Sequence, residues 1–154
     1  MASRLPFFRL FAGAAFVLMA GPANAVDPDA VIGTYWFDAN KAKIQVFEDD
    51  ESYAARILWT YKPTLDEHNP DPKLRDRSLV GVVIAKNFVF DGDDKWVDGE
   101  IYAPDTGDTY SARMWLEDGL LKMRGFVGLP LFGRTATLTP AGDEQRAEHQ
   151  VIRR

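Results

Sequence analysis

The amino-acid sequence predicts an all-β chain, a single antiparallel and mostly up-and-down β-barrel of about eight strands behind a cleaved N-terminal signal peptide. Three observations carry this. Trp96 to Val127 reads as three strands in meander, short apolar or alternating runs between turn formers fill the rest, and no interior stretch has a convincing helical period. A barrel of this width either fills with its own side chains or holds one small ligand.

The meander fixes its own register. Pro104-Asp105-Thr106-Gly107 supplies the first turn, so Ala103 faces Asp108. One face then pairs Ile101 with Tyr110, Gly99 with Ala112 and Val97 with Met114. The other pairs Glu100 with Ser111, Asp98 with Arg113 and Trp96 with Trp115. Asp118-Gly119 suits a two-residue hairpin turn, in which both positions need positive φ. It sets Glu117 against Leu120 and continues through Leu116–Leu121, Met114–Met123 and Ala112–Gly125 to Tyr110–Val127. The face that is apolar in the first hairpin stays apolar in the second, while on the outer face Trp115 meets Lys122 and Arg113 lies beside Arg124. Gly99, Ala112 and Gly125 fall in one row, which is either room for a ligand or space taken by an aromatic side chain or strong sheet coiling.

The leader is residues 1–25. Arg4 and Arg9 give a basic start, Leu10 to Ala20 is a short apolar run, and Ala23-Asn24-Ala25 has the small-x-small form of a cleavage site. The apolar run is below the roughly 20 residues that span a bilayer, so no transmembrane span is expected. Cleavage after Ala25 leaves 129 of 154 residues and a periplasmic or secreted protein. Because the leader holds two of the 18 basic residues and none of the 23 acidic ones, the remainder carries 16 against 23, a net charge of −7 with histidine neutral. Such a balance argues against nucleic acid and against an anionic membrane surface as partners. With no cysteine there is no disulfide framework, no thiol chemistry and no cysteine-ligated metal.

Residues 26–140 form the barrel domain. Val31 to Phe37 and the alternating Lys43 to Glu48 read as strands joined at Asp38-Ala39-Asn40-Lys41, and Glu48 to Glu51 is a solvated turn. In Ser52 to Thr60 the residues Tyr53, Ala55, Ile57 and Trp59 share one face, as wall residues of the same kind as Met114 and Met123. Tyr61 to Ser78 is the long connection, polar and proline-rich; within it Asp66 to Asp71, with a lone His68, reads as an exposed turn rather than a metal site. Leu79 to Ala85 and Phe88 to Phe90 form a nearly continuous apolar strand region, turned by Asp91 to Asp94 into the meander. The last strand lies near Gly133 to Thr139; with its apolar face inward, Arg134 also points inward and requires a carboxylate, carbonyl oxygens, an aromatic face or a bound anion. Residues 141–154 read as a charged tail, a frayed helix or disordered.

Gly33-Thr34-Tyr35, Asn69-Pro70-Asp71-Pro72 with Leu74, Arg75, Arg77, Leu79 and Gly81, then Trp96, Gly99, Ile101-Tyr102, Pro104, Gly107, Tyr110, Arg124-Gly125, Gly128 and Gly133-Arg134-Thr135 resemble the domain of unknown function 2147 family of small exported bacterial proteins. That family's pattern has Trp at the places of Tyr35 and Leu138 and Arg at that of Pro140. The resemblance implies an exported barrel-like domain with no established activity. A looser similarity to lipocalin-like barrels would make Tyr35 or Trp36 and Arg134 the counterparts of a first-strand tryptophan packed under a last-strand arginine.

These readings favour a non-catalytic binding barrel for a small apolar or amphipathic ligand, lined by Tyr53, Ile57, Trp59, Gly99, Met114, Met123, Gly125 and Arg134. The alternative is a structural or protein-interaction module of the cell envelope, using Trp96, Trp115 and Tyr102 on the outer face. No enzyme, metal or cofactor is expected. Ser52, Ser78 and Ser111 lack nucleophile-elbow spacing, the histidines are His68 and His149, and Asp98 and Glu100 are better read as serving Arg113 and solvent than as an acid–base pair. Export is directly checkable: N-terminal sequencing of protein recovered from an expressing bacterium is expected to read Val26-Asp27-Pro28, and a start at Met1 would remove the leader from the argument.

Overall fold

The computed structural model describes residues 26–142; the proposed leader 1–25 and residues 143–154 of the tail lie outside the described residues. Eight antiparallel strands close a barrel in sequence order: β1 Gly33–Phe37, β2 Ala42–Asp49, β3 Ser52–Thr60, β4 Val83–Phe90, β5 Lys95–Ala103, β6 Asp108–Glu117, β7 Leu120–Phe126 and β8 Arg134–Pro140. The only helical turns among the described residues are short 3₁₀ segments, and none is long and apolar enough to cross a membrane.

Up-and-down topology gives the barrel two unlike ends. At the base lie the tight β2–β3, β4–β5 and β6–β7 turns, rich in acids from Glu48 to Glu51, Asp91 to Asp94 and Glu117 to Asp118. At the rim lie the β1–β2 turn, the long residues 61–82, the β5–β6 turn and residues 127–133. The base is stoppered by the 3₁₀ segment Pro28–Val31, whose Val31 side chain is fully buried. Three side chains from the wall hold it: Tyr35 Oη donates to Val31 O at 2.8 Å, Tyr53 Oη to Asp29 Oδ1 at 2.8 Å, and Trp96 Nε1 to Pro28 O at 3.0 Å.

The β6–β7 register is the one the hairpin dipeptide predicts, from Glu117–Leu120 to Ala112–Gly125, and Asp118 and Gly119 both have positive φ. The pairing ends at Ser111–Phe126, so Tyr110 has no partner on β7. β5 and β6 pair as expected from Ala103–Asp108 to Gly99–Ala112 and then shift. Asp98, at φ 59°, is an extra residue in a β-bulge, a conformation that aspartate tolerates better than most residues. Beyond it Trp96 pairs with Met114 and Lys95 with Trp115, so Trp96 turns inward and is fully buried. The expected Trp96–Trp115, Val97–Met114 and Asp98–Arg113 pairs do not form; the Arg113 guanidinium instead lies 5.9 Å from the centre of the Trp115 ring, and Lys122 donates to Thr137.

A second shift, between Lys43 and Ile44, does the same to β3. Tyr53, Ala55 and Ile57 face the core, but Trp59 turns outward, 41% exposed, with its ring edge-on to Trp36 at 5.8 Å. In β8 Leu138 is buried and Ala136 partly so, yet Arg134 is exposed, because this first residue of the strand emerges at the rim. It therefore needs no internal counter-charge. It also stands at the opposite end of the barrel from Tyr35, whose hydroxyl goes to Val31 O, so the lipocalin-like tryptophan–arginine contact is not made. The β1–β8 seam that closes the barrel pairs only Tyr35 with Pro140 and Trp36 with Thr139, followed by Ala141 N donating to Thr34 O at 2.9 Å.

The row of small residues exists, and Phe88 occupies it. The ring of Phe88, fully buried on β4, lies so close over Gly99 that a Cβ there would sit 2.6 Å from its Cγ. Gly99→Ala is therefore expected to lower stability by about 1–3 kcal/mol in urea denaturation. Combined with Phe88→Leu it should cost less than the sum of the two single changes; strict additivity would mean the ring does not rest on Gly99.

Candidate functional site

The interior is the first place to look for a ligand, and it is a side-chain core. Trp96, Phe88, Met114, Leu121, Val31 and Val46 are its largest fully buried apolar side chains. Of the residues expected to line a cavity, Tyr53, Ile57, Met114 and Met123 do converge there, each in the same packed cluster. Gly99 lies under Phe88, and Gly125 is flanked by Ile101 Cγ2 and Tyr110 Cβ. Trp59 is on the outer wall and Arg134 at the rim, so the eight residues do not form one lining. Burial without counter-charge pushes the Tyr35 phenol up to about 12. Burial, with the hydrogen bond to Asp29, does the same to Tyr53. Both are structural phenols, holding the base closed.

Space is found outside. A cleft of about 410 Å³ lies against the outer wall of β4, β5 and β6, beneath the long rim connection. Val83, Ile84 and Pro70 form its apolar part; Arg77, Lys86, Glu100, Tyr102, Asn69 and Thr109 supply polar groups. Lys86 and Glu100 pair across the wall at 3.7 Å, both about half exposed, an arrangement worth little in water. Asp98 is solvent-exposed in the bulge, and Glu100 is exposed beside Lys86.

One buried carboxylate builds the roof of this cleft. Asp66 is fully buried, and its Oδ2 accepts from Asn69 Nδ2 at 2.7 Å and from Arg77 Nε at 2.9 Å, with Arg77 Nη2 at 2.7 Å. Its Oδ1 accepts from Tyr102 Oη of β5 at 2.5 Å, which straps the loop to the barrel. Arg75 Nε donates to Asn69 O at 2.9 Å, and the Asp66 and Leu79 amides bond to Arg77 O and Thr64 O. Burial would raise the Asp66 carboxyl, but the hydrogen bonds from Tyr102, Asn69 and Arg77, with the guanidinium charge, outweigh it and hold the carboxyl below its ordinary value. Both oxygens are committed, so Asp66 positions the cleft rather than doing chemistry in it. The sequence reading placed Asp66 and Asn69 in an exposed turn, and the structure corrects this: both are buried, while His68 between them is exposed. The signal available was the arginine pair at 75 and 77 following an acid–asparagine pair within a proline-framed segment. Among the described residues no group of three or more His, Asp or Glu side chains could hold a metal ion.

A family model described as an uncharacterised protein conserved in bacteria, DUF2147, matches residues 33–139, from the first residue of β1 to the penultimate residue of β8. Among solved structures, protein HP1028 from Helicobacter pylori, described as belonging to the lipocalin family, matches with a TM-score of 0.68 and 25% identity, over 77% of this chain and 87% of that one. No curated protein matches the sequence.

Removing the strap is expected to free the loop without opening the barrel. Asp66→Ala should cost about 2–3 kcal/mol, less than the roughly 3–5 of a fully buried pair because Arg77 is 37% exposed. The change should appear as faster hydrogen exchange at the Leu79 amide with barrel amides little affected. Acid should act in the same way. A carboxyl depressed by folding contributes its full stability above its unfolded value of 3.8 and loses it as pH falls through the lower folded value, so the Leu79 amide should lose protection below pH 3.8 in the wild type and show no such step in Asp66→Asn.

Proposed function

Because this chain belongs to the DUF2147 family of uncharacterised bacterial proteins and folds as a lipocalin-like barrel, we propose that it is an exported, non-catalytic binding protein that takes a small amphipathic ligand in the outer-wall cleft. The observation that carries this reading is the contrast between a lumen filled by Trp96, Phe88 and Met114 and an external cleft of about 410 Å³, within the size range of small-molecule sites. The wall supplies both halves of an amphipathic match. Val83, Ile84 and Pro70 receive an apolar body, while Arg77 and Lys86 face an acidic head. Lys86 is freed for that role at small cost because its pairing with Glu100 is long and exposed.

The site is on fixed elements. Tyr102 and Lys86 stand on paired strands, and Arg77 is oriented by two contacts to a buried carboxylate, which leaves its remaining nitrogen for a ligand. Export rests on the leader sequence of residues 1–25. The envelope-module reading relied on Trp96, Trp115 and Tyr102 as exposed aromatics. Trp96 is in the core, Trp115 is half-buried and Tyr102 lies under the Asp66 strap, so those residues no longer support it.

Native mass spectrometry of protein purified gently from the periplasm of an expressing bacterium, with organic extraction, tests the proposal. A defined adduct is expected in the wild type, lost in Val83→Trp, which fills the cleft from an exposed position, and weakened several-fold in Lys86→Glu with the fold intact by circular dichroism. An adduct that survives Val83→Trp lies elsewhere, and a clean apo mass in repeated preparations would sink the reading.

A further inference from the structure

Residues 127–133, which join β7 to β8 at the rim, expose four apolar side chains in a row: Val127, Leu129, Leu131 and Phe132 are 63–79% accessible. Such exposure in a slack loop would mean little. This loop is fastened. Arg124 on β7 turns two guanidinium nitrogens to it, Nε donating to Pro130 O at 2.6 Å and Nη2 to Leu131 O at 3.1 Å, while Nη1 donates to Thr135 Oγ1 on β8 at 2.8 Å. Gly133 seats it against the strand below, where a Cβ would come within 2.8 Å of Phe126 Cβ. The carbonyls of Leu129, Pro130 and Leu131 all accept hydrogen bonds, while the apolar side chains stay exposed.

The same arc of the rim continues through the β1–β2 turn to the end of β3, where Phe37, Trp59 and Tyr61 are exposed. Its charges differ from those of the whole protein. Lys62 and Arg134 lie along it, and its acid, Asp38, is already paired with Lys41 at 3.1 Å. The acids of the base are distant: ten residues of β6 at roughly 3.4 Å each, tilted as barrel strands are, separate the ends by about 25 Å, more than twice the Debye length at physiological salt. The exposed acids at the rim, Glu67, Asp71, Asp76, Asp105 and Asp108, belong to the long connection and the β5–β6 turn, which are fastened together over β5, across the barrel from the β8–β1 seam, so this arc carries more basic than acidic side chains.

We propose that this arc docks on a lipid bilayer carrying anionic headgroups, with Val127, Leu129, Leu131 and Phe132 entering the interface and the cations of the arc over the lipid phosphates. A convex tip of separate side chains suits a fluid surface, which deforms around it, whereas a protein partner would need a matching hole. A second copy meeting it face to face would oppose cation to cation. The chain enters β1 and leaves β8 at the base, so neither flanking segment begins beside the tip.

Co-flotation tests this. Protein exported and processed by an expressing bacterium is mixed with vesicles of phosphatidylcholine alone, or with about one-third phosphatidylglycerol. Binding to the mixed vesicles is expected, falling at least about tenfold in Leu131→Asp/Phe132→Asp and a few-fold in Arg134→Glu, and falling again as salt rises. The melting temperature of each variant should match the wild type, because all three positions are exposed. No binding to either vesicle, or equal binding by the double variant, would overturn the proposal. So would a concentration-dependent dimer that the double variant abolishes, which would assign the arc to a second copy.

Discussion

The indole of Trp96 sits where the wall, the stopper and the interior of the barrel meet, and much else depends on its position. One extra residue at Asp98 turns it inward, its nitrogen finds the carbonyl of Pro28, and its rings pack against Tyr53 and Phe90 at centroid separations of 6.3 and 5.2 Å. A buried indole N–H without an acceptor would be costly, so the N-terminal turn is fixed by the same side chain that fills the base. The positive φ at Asp98 and the closure of the barrel are two aspects of one arrangement.

Filling the lumen leaves the outer-wall cleft as open space. Eight strands leave an interior that is only just wide enough for side chains or one small molecule, and here Trp96, Phe88 and the two methionines use it. What remains variable is the surface, where the long connection is fastened to β5 by a carboxylate that no solvent reaches. Buried charge of this sort is retained where it fixes a geometry, since a well-packed apolar cluster would stabilise at least as well. The roof of the cleft is held with the precision of a strand although it is made of loop.

Much of this was legible in the letters. The Asp118-Gly119 dipeptide and the Pro104 to Gly107 turn set the β5–β6–β7 register because turn chemistry and face polarity agree there. The shifts at Asp98 and between Lys43 and Ile44 were not legible: alternation is blind to a single inserted residue, and a tryptophan fits either an outer face or a core. Both errors, Trp96 outside and Trp59 inside, follow from carrying a strict period of two through a shift. Arg134 misled for a different reason, since parity says which way a side chain points but not whether the barrel still surrounds it. Asp66 looked like a turn residue because its partners, Tyr102 and Arg77, lie 36 and 11 residues away.

The seam between β1 and β8 has a consequence for how the fold behaves among other chains. With two paired positions it is the stave joint that parts first when the wall breathes, and a parted barrel is an open sheet with two raw edges. Those edges are poor templates. β1 is only five residues long, and β8 ends in Pro140, which has no N–H to offer a foreign strand. The features that make the joint narrow also make it unreceptive, so transient opening does not become an invitation to polymerise.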